Sequence, residues 1–242
     1  MENLPAMIGR ISMQSHLDEL IAAVGVLAEL DSVDATRVVA LGNSEGCIHV
    51  LHYATRPQSV PFVAVVLVAP PGRAIEDLLL SQLALQLGQQ PGGDELYRLV
   101  EAAAARYTAG EPMDPDPGLP EHVRMVLASL ETPANLPFAR ELWSEDAADL
   151  LPSLQIPTLV IIGEKDAQVD AQIDGGLLQE AAGEMSNVTF VFPANTNHVL
   201  KEEARSIAEV AASGNLRYSD PDTHLDPQAT GSILSWLRGV LA

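Results

Sequence analysis

Cysteine and lysine are scarce in this sequence of 242 residues. Cys47 is the only cysteine, which excludes an internal disulfide and any metal site built from cysteines. Lys165 and Lys201 are the only lysines, and the formal net charge is −20. A surface this acidic repels nucleic acid and anionic membranes, because their phosphates need basic partners. We therefore expect neither of them as a partner.

Long apolar runs and targeting signals are also missing. No apolar run approaches the roughly 20 residues that a membrane helix needs. The first ten residues, MENLPAMIGR, have no basic region followed by an apolar one, so they do not resemble a signal peptide. We expect a cytoplasmic protein. Aromatic residues make up only 4% of the chain, so Leu, Val, Ile and Ala must fill its core.

Short apolar strands alternate with helices at both ends of the chain, which is the rhythm of a parallel α/β sheet. The predicted strands are rich in β-branched residues and cover residues 37–42, 61–70, 157–163 and 187–193. The predicted helices between and around them cover residues 14–30, 47–55 and 170–183, and a last helix begins at Asp226. From residue 73 to residue 151 only helix-like segments occur, separated by breaks rich in Gly and Pro.

Three polar residues follow predicted strands. Ser44 follows the first strand, Asp166 the third and His198 the fourth. Because ligands bind outside the carboxyl ends of parallel strands, these loops can converge on one crevice. The chain order of Ser, Asp and His is that of an α/β-hydrolase triad.

The pattern Gly42-Asn43-Ser44-Glu45-Gly46 suits a nucleophilic serine. A serine hydroxyl needs a neutral imidazole to take its proton, and the imidazole needs a carboxylate to orient it. Both flanking glycines, Gly42 and Gly46, are expected to be required because helix and strand come too close for side chains. The backbone N–H of Glu45 is the predicted oxyanion donor.

Other polar residues have simpler interpretations. Glu164 and Asp170 compete with Asp166 for the role of the triad acid. His49 and His52 are interpreted as packing or surface residues, Cys47 as a small core residue, and the pair Glu202-Glu203 as a solvated face. His16, His122 and His224 do not lie at the end of a predicted strand.

These segments resemble the α/β-hydrolase superfamily, in particular its serine esterase and peptidase-like branch. That branch often has His where this chain has Asn43. The segments IPTLVIIGEKDAQV and ANTNHVLKE resemble its acid-bearing and histidine loops. The resemblance implies an α/β-hydrolase fold with a reduced, mainly parallel sheet of about four recognisable strands and a helical cap insertion. Residues 1–72 and 152–242 would form the core and residues 73–151 the cap.

The family normally carries four strands before the helix predicted at 14–30. We expect these strands to be absent here, which would leave residues 37–41 as an apolar sheet edge. An exposed apolar edge invites pairing with another chain. We therefore expect a homodimer buried around residues 14–41, with a second oxyanion donor supplied from elsewhere.

The predicted function is that of a carboxylesterase-type serine hydrolase (EC 3.1.1). Ser44 would attack the ester, His198 would transfer the proton and Asp166 would orient His198. Apolar faces on the cap helices favour a small-molecule ester with an apolar acyl or aryl group, and no cofactor or metal is implied. The alternative is a truncated relative with weak or no activity, which serves as a binding or assembly module.

Overall fold

Four parallel strands form the sheet in the computed structural model of this protein, which describes residues 9–213 and 215–242. Most of the segment on which the signal-peptide prediction rests lies outside the described residues. The strands are β1 (Val39–Asn43), β2 (Ala64–Val68), β3 (Thr158–Ile161) and β4 (Val188–Val191). They lie side by side in chain order, and each pair is parallel. The predicted fold class and all four predicted strands are confirmed.

Helices connect and flank these strands. The helices of the described residues are α1 (Met13–Ala28), α2 (Glu45–Ala54), α3 (Ile75–Leu87), α4 (Gly93–Thr108), α5 (Glu121–Ser129), α6 (Phe138–Leu142), α7 (Ala147–Leu150), α8 (Ile173–Ala182), α9 (Ile207–Ser213) and α10 (Pro227–Val240). The predicted cap of the last helix is observed, since the Asp226 side chain accepts a hydrogen bond from the Ala229 N–H. Among the described residues, no helix is both long enough and apolar enough to cross a bilayer.

The chain divides into two compact units. The sheet unit comprises Leu17–Arg73 and Asp146–Ala242, and the helical unit comprises Ala74–Glu145 with the described residues up to His16. The assignment of residues 73–151 as a cap stays a prediction.

The core of the sheet unit is made by the two central strands. Every residue of β2 and β3 is buried, as expected for strands covered on both faces. β1 lies at the edge, and its Leu41 is 57% exposed. Asn43 pairs with Val68 and Val68 with Ile161, so the carboxyl ends of these three strands are aligned at one end of the sheet. The loops that carry the predicted site start there.

The helical unit has its own core. Along α4 the buried residues Val100, Ala103, Ala104 and Tyr107 recur at the spacing of one helix face. Trp143 packs edge-on against Tyr107, with ring centroids 4.9 Å apart. Leu and Val side chains from α3 and α5 complete this cluster.

Candidate active site

Ser44 lies at the turn between β1 and α2. Its φ of 55° and ψ of −126° belong to a region that side-chain-bearing residues rarely adopt. The Ser44 N–H donates to the Val68 carbonyl at 2.8 Å, and the Ser44 carbonyl accepts from the Cys47 N–H at 2.9 Å. Strain of this kind costs on the order of 1–3 kcal/mol and concentrates at functional sites. A sharp strand-to-helix turn is also the geometry that exposes a nucleophilic serine.

The two glycines of the turn differ in their surroundings. A Cβ atom at Gly42 would lie 2.7 Å from the Gly46 carbonyl oxygen and 2.8 Å from the Cys47 Cα, so no side chain fits there. A Cβ atom at Gly46 would meet no heavy atom within 4 Å beyond its chain neighbours and its own helix backbone. The expectation that both glycines are required sterically is therefore right for Gly42 and wrong for Gly46.

His198 and Asp166 form a buried pair. The His198 Nδ1 lies 2.8 Å from the Asp166 Oδ2, and the two side chains are 6% and 0% exposed. The other carboxylate oxygen, Oδ1, accepts hydrogen bonds from the backbone N–H groups of Gln168 and Val169 at 2.8 and 3.0 Å. The carboxylate is thus fixed on one side by backbone and offers its second oxygen to the imidazole.

The two competing acids, Glu164 and Asp170, lie in different surroundings from Asp166. Glu164 is exposed, and the Asp170 Oδ1 accepts from the N–H groups of Gln172 and Ile173 at the start of α8. Of the three acids considered, Asp166 is the one that contacts His198. In the described part of the chain, no group of three His, Cys, Asp or Glu side chains could hold a metal ion.

A buried ion pair anchors the loop that follows Asp166. Asp174 is fully buried, and its carboxylate accepts from the Arg73 Nε and Nη2 at 3.0 and 2.8 Å. It also accepts from the backbone N–H groups of Gly72 and Asp170. Asp174 therefore joins the loop after β2 to the loop after β3, a role that its place in a helix-like segment did not indicate.

Asn43 joins the serine turn to the histidine loop. Its Nδ2 donates to the His198 carbonyl at 3.0 Å and, more weakly, to the Val68 carbonyl at 3.4 Å. No hydrogen bond joins the Ser44 hydroxyl to the His198 ring among the described residues. Bonds between a nucleophile and its base are often long in the absence of substrate. The structure thus pairs Asp166 with His198 and places the backbone of His198 beside the residue that precedes Ser44.

Glu45 occupies the first position of α2. Its N–H has no acceptor within the helix, because the first N–H groups of any α-helix lack one. The positive end of the helix dipole adds to the attraction for a developing anion. The Glu45 side chain instead contacts His49, with 3.2 Å between Oε1 and Nε2.

The interpretation of the pair Glu202-Glu203 as a solvated face is wrong for Glu203. It is 3% exposed and accepts two hydrogen bonds from the Arg205 guanidinium, at 2.8 and 2.6 Å. These bonds, outweighing the opposing effect of burial, hold the pKa of Glu203 below its ordinary value, and the Arg217 charge adds to the effect. The Glu203 N–H also donates to the Asn195 carbonyl at 2.7 Å, so this residue closes the base of the histidine loop.

Tyr218 is a site neighbour that the sequence did not indicate. Its ring stacks on the His198 ring, with centroids 6.0 Å apart and an interplanar angle of 26°. Its hydroxyl donates to the Gln168 Oε1 at 2.8 Å. Burial raises the pKa of Tyr218 above its ordinary value, and the Asp166 and Glu203 charges raise it further. A single tyrosine in a loop of Asp, Pro and Thr belongs to no periodic pattern, so its contact with His198 is apparent only from the three-dimensional structure.

A parallel sheet, a strained serine turn and a buried Asp–His pair define the architecture of an α/β hydrolase. The sequence comparison agrees, because residues 3–212 match the alpha/beta hydrolase family. The chain belongs to that family.

The chain is similar to several known proteins. The chain is 26% identical over 223 residues to esterase EstD of Thermotoga maritima, which covers 91% of this chain and 47% of that protein. The chain thus spans about half the length of this relative. Among solved structures, VinJ has a TM-score of 0.54 at 16% identity, covering 95% of this chain and 73% of its own. An esterase of Pyrococcus furiosus has a TM-score of 0.50 at 14% identity, covering 93% and 62%.

Proposed function

We propose that this protein is a serine hydrolase that cleaves carboxylic esters through an acyl-enzyme intermediate. The observation that carries the proposal is the buried pair of Asp166 and His198. The backbone carbonyl of His198 accepts a hydrogen bond from Asn43, which directly precedes Ser44 in the strained turn. Membership of the α/β hydrolase family and the esterase name of the Thermotoga maritima relative support a hydrolase.

In the first half of the reaction, the Ser44 Oγ attacks the ester carbonyl carbon while the His198 Nε2 takes the hydroxyl proton. Asp166 holds the opposite ring nitrogen, which fixes the tautomer and stabilises the imidazolium. The Glu45 N–H stabilises the negative charge that forms on the carbonyl oxygen. Collapse of the tetrahedral intermediate expels the alcohol, which leaves with the proton from His198.

In the second half, a water molecule attacks the acyl carbon and gives its proton to His198. The carboxylic acid then leaves, and Ser44 regains its hydroxyl proton. The mechanism needs no cofactor. The preference for an apolar acyl or aryl group, and the assignment of residues 73–151 as a cap domain, belong to the same proposal.

We also propose that the protein forms a homodimer through the outer edge of β1. Among the described residues no strand pairs with that side of β1, and Leu41 is exposed there. A second copy could pair with this edge in antiparallel orientation about a two-fold axis. Such pairing would satisfy the backbone groups that the edge presents.

The catalytic proposal is tested by labelling with a fluorophosphonate and by hydrolysis of p-nitrophenyl esters of increasing acyl length. We expect the wild-type protein to be labelled and active. Ser44→Ala and His198→Ala should each lower kcat by about three orders of magnitude or more, and the double variant should be little worse, because such residues act as a unit. The exposed Ser186 provides the control variant Ser186→Ala, which should retain full activity. A folded wild-type protein that is neither labelled nor active would instead favour a binding or assembly module.

A further inference from the structure

We propose that Tyr218 is a positioning residue, which fixes the plane of the His198 ring and keeps water from one face of the His198–Asp166 pair. This proposal rests on the proposed function, because it assigns Tyr218 a role in the same proton transfer. The Tyr218 side chain contacts His198 and Gln168, so its effect on the proton transfer is exerted through His198.

The contacts around Tyr218 form a closed circuit. The Tyr218 ring lies on the His198 ring, and the Tyr218 hydroxyl donates to the side chain of Gln168. The backbone N–H of Gln168 donates to Asp166, and Asp166 in turn holds the Nδ1 of His198. One side chain therefore contacts both the base and the loop that carries its acid partner.

The stacking geometry suits this role. Centroids 6.0 Å apart and rings 26° from parallel correspond to an offset stack, a favoured arrangement of aromatic pairs. An imidazole held only at Nδ1 can still rotate about that hydrogen bond. A ring against its face removes this freedom. It also covers the pair with apolar surface, and exclusion of water strengthens the attraction between the carboxylate and the imidazolium.

The hydroxyl of Tyr218 stays a donor throughout the neutral range. The same burial and neighbouring charges that raise the pKa of Tyr218 keep the phenol protonated, so its hydrogen bond to Gln168 persists. A phenolate would be repelled by Asp166.

The backbone that follows Tyr218 is fixed to the histidine loop itself. The Glu202 N–H donates to the His224 carbonyl at 2.9 Å, and the Asp226 N–H donates to the Leu200 carbonyl at 2.8 Å. Nearer to Tyr218, the Arg217 Nε donates to the Asp220 carboxylate at 2.9 Å. The segment 217–226 is therefore hydrogen-bonded to the histidine loop, and it places Tyr218 against His198.

The test compares Tyr218→Leu, which removes the aromatic ring, with Tyr218→Phe, which removes only the hydroxyl. We expect Tyr218→Leu to lower kcat about tenfold or more with KM unchanged, because small displacements of a catalytic group can cost up to ~10²-fold. Tyr218→Phe should lose no more than about fivefold, the scale of one neutral hydrogen bond. Gln168→Leu should reproduce the effect of Tyr218→Phe, and the two changes together should be no worse than either one.

A spectroscopic measurement separates this proposal from the proposed function. The low-field NMR signal of the His198 Nδ1–H is recorded without substrate, so that it does not depend on turnover. The signal should persist with Tyr218→Phe and broaden through exchange with water with Tyr218→Leu. Tyr53→Phe is the matched control, because the Tyr53 hydroxyl donates to the Val60 carbonyl at 2.7 Å and its ring stacks on Phe62. It should change neither the signal nor kcat.

Two results would overturn the proposal. One is a folded Tyr218→Leu protein with wild-type kcat and an unchanged signal, and the other is the absence of the signal from the wild-type protein. If the wild-type protein has the signal but no esterase activity, the proposed function fails, and the behaviour of the signal in Tyr218→Leu still decides whether Tyr218 positions His198.

Discussion

At the scale of single residues, the turn at Ser44 combines strain with close packing. Ser44 adopts a positive φ that a glycine would adopt with less cost, yet a side chain stands there. Gly42, in contrast, has ordinary backbone geometry and no room for a Cβ atom. Strain is therefore tolerated at the proposed nucleophile, and space is made by Gly42, two residues earlier in the strand.

The contrast between the two glycines predicts unequal effects of the same substitution. Gly42→Ala forces a Cβ against the backbone of Gly46 and Cys47, which should lower the free energy of unfolding by about 1–3 kcal/mol, as overpacking does. Gly46→Ala, inside α2, should be neutral or stabilise the protein by up to about 1 kcal/mol, because Ala is the better helix former. Urea denaturation of both variants measures the difference. Equal losses from the two substitutions would contradict the geometry of the turn.

The candidate catalytic residues could be identified from the sequence because each lies at a recognisable position, just after a predicted strand. Ser44, Asp166 and His198 each follow a strand, and the order of strands brings their loops to one edge of the sheet. Tyr218 and Gln168 lack such a positional signal, and Asn43 was named only as part of the serine motif, because the contacts of all three depend on which loops touch. The burial of Glu203 was missed for the same reason, since its partner Arg205 is two residues away and neither lies in a periodic segment.

At the scale of elements, the histidine loop depends on Glu203 in its ionised form. The pKa of Glu203 is lower in the folded protein than the ordinary glutamate pKa of 4.5. Ionised Glu203 therefore stabilises the fold at pH values above 4.5, and this stabilisation is lost as the pH falls through the lowered pKa. We therefore expect the wild-type protein to be more stable than Glu203→Gln at neutral pH and the difference to shrink below pH 4.5. Thermal denaturation between neutral and acid pH measures it.

The exposed Glu180 supplies the control for this experiment. Glu180→Gln should leave the stability unchanged across the same pH range. A difference between wild type and Glu203→Gln that stays constant down to the lowest pH would show that the contact with Arg205 does not depend on the charge of Glu203.

Elements with a strong periodic pattern were predictable, and their breaks were not. The four strands and the helices α1, α2, α8 and α10 follow from apolar spacing, with bounds that differ by a few residues. Within the helix-like region 73–151, no Gly or Pro marks the break between α6 and α7, which arises because Asp146 is extended and caps α7 by accepting from the Asp149 N–H. The short α9 escaped prediction, since seven residues give too few turns for a periodic signal.

At the scale of the whole molecule, the edge of β1 and the net charge act in opposite directions. In the described part of the chain, no strand pairs with the outer edge of β1, and Leu41 is exposed; both features favour association of two copies. A net charge of −20 on each copy opposes it. Salt screens such repulsion, with a Debye length of about 10 Å at 0.1 M. Association through β1 should therefore strengthen as salt is added.

We expect light scattering at micromolar concentration to report a dimer whose population rises with salt. Leu41→Lys should abolish it, because a charged side chain on an edge strand disfavours pairing between chains. The matched control is Leu234→Lys, a change of the same type at a leucine of α10 that is 52% exposed, compared with 57% for Leu41. It adds the same positive charge elsewhere, so it should leave the dimer intact. A monomer at every salt concentration would rule out the interface, and so would equal effects of the two lysines, which would mean that charge alone, and not the strand edge, governs the association.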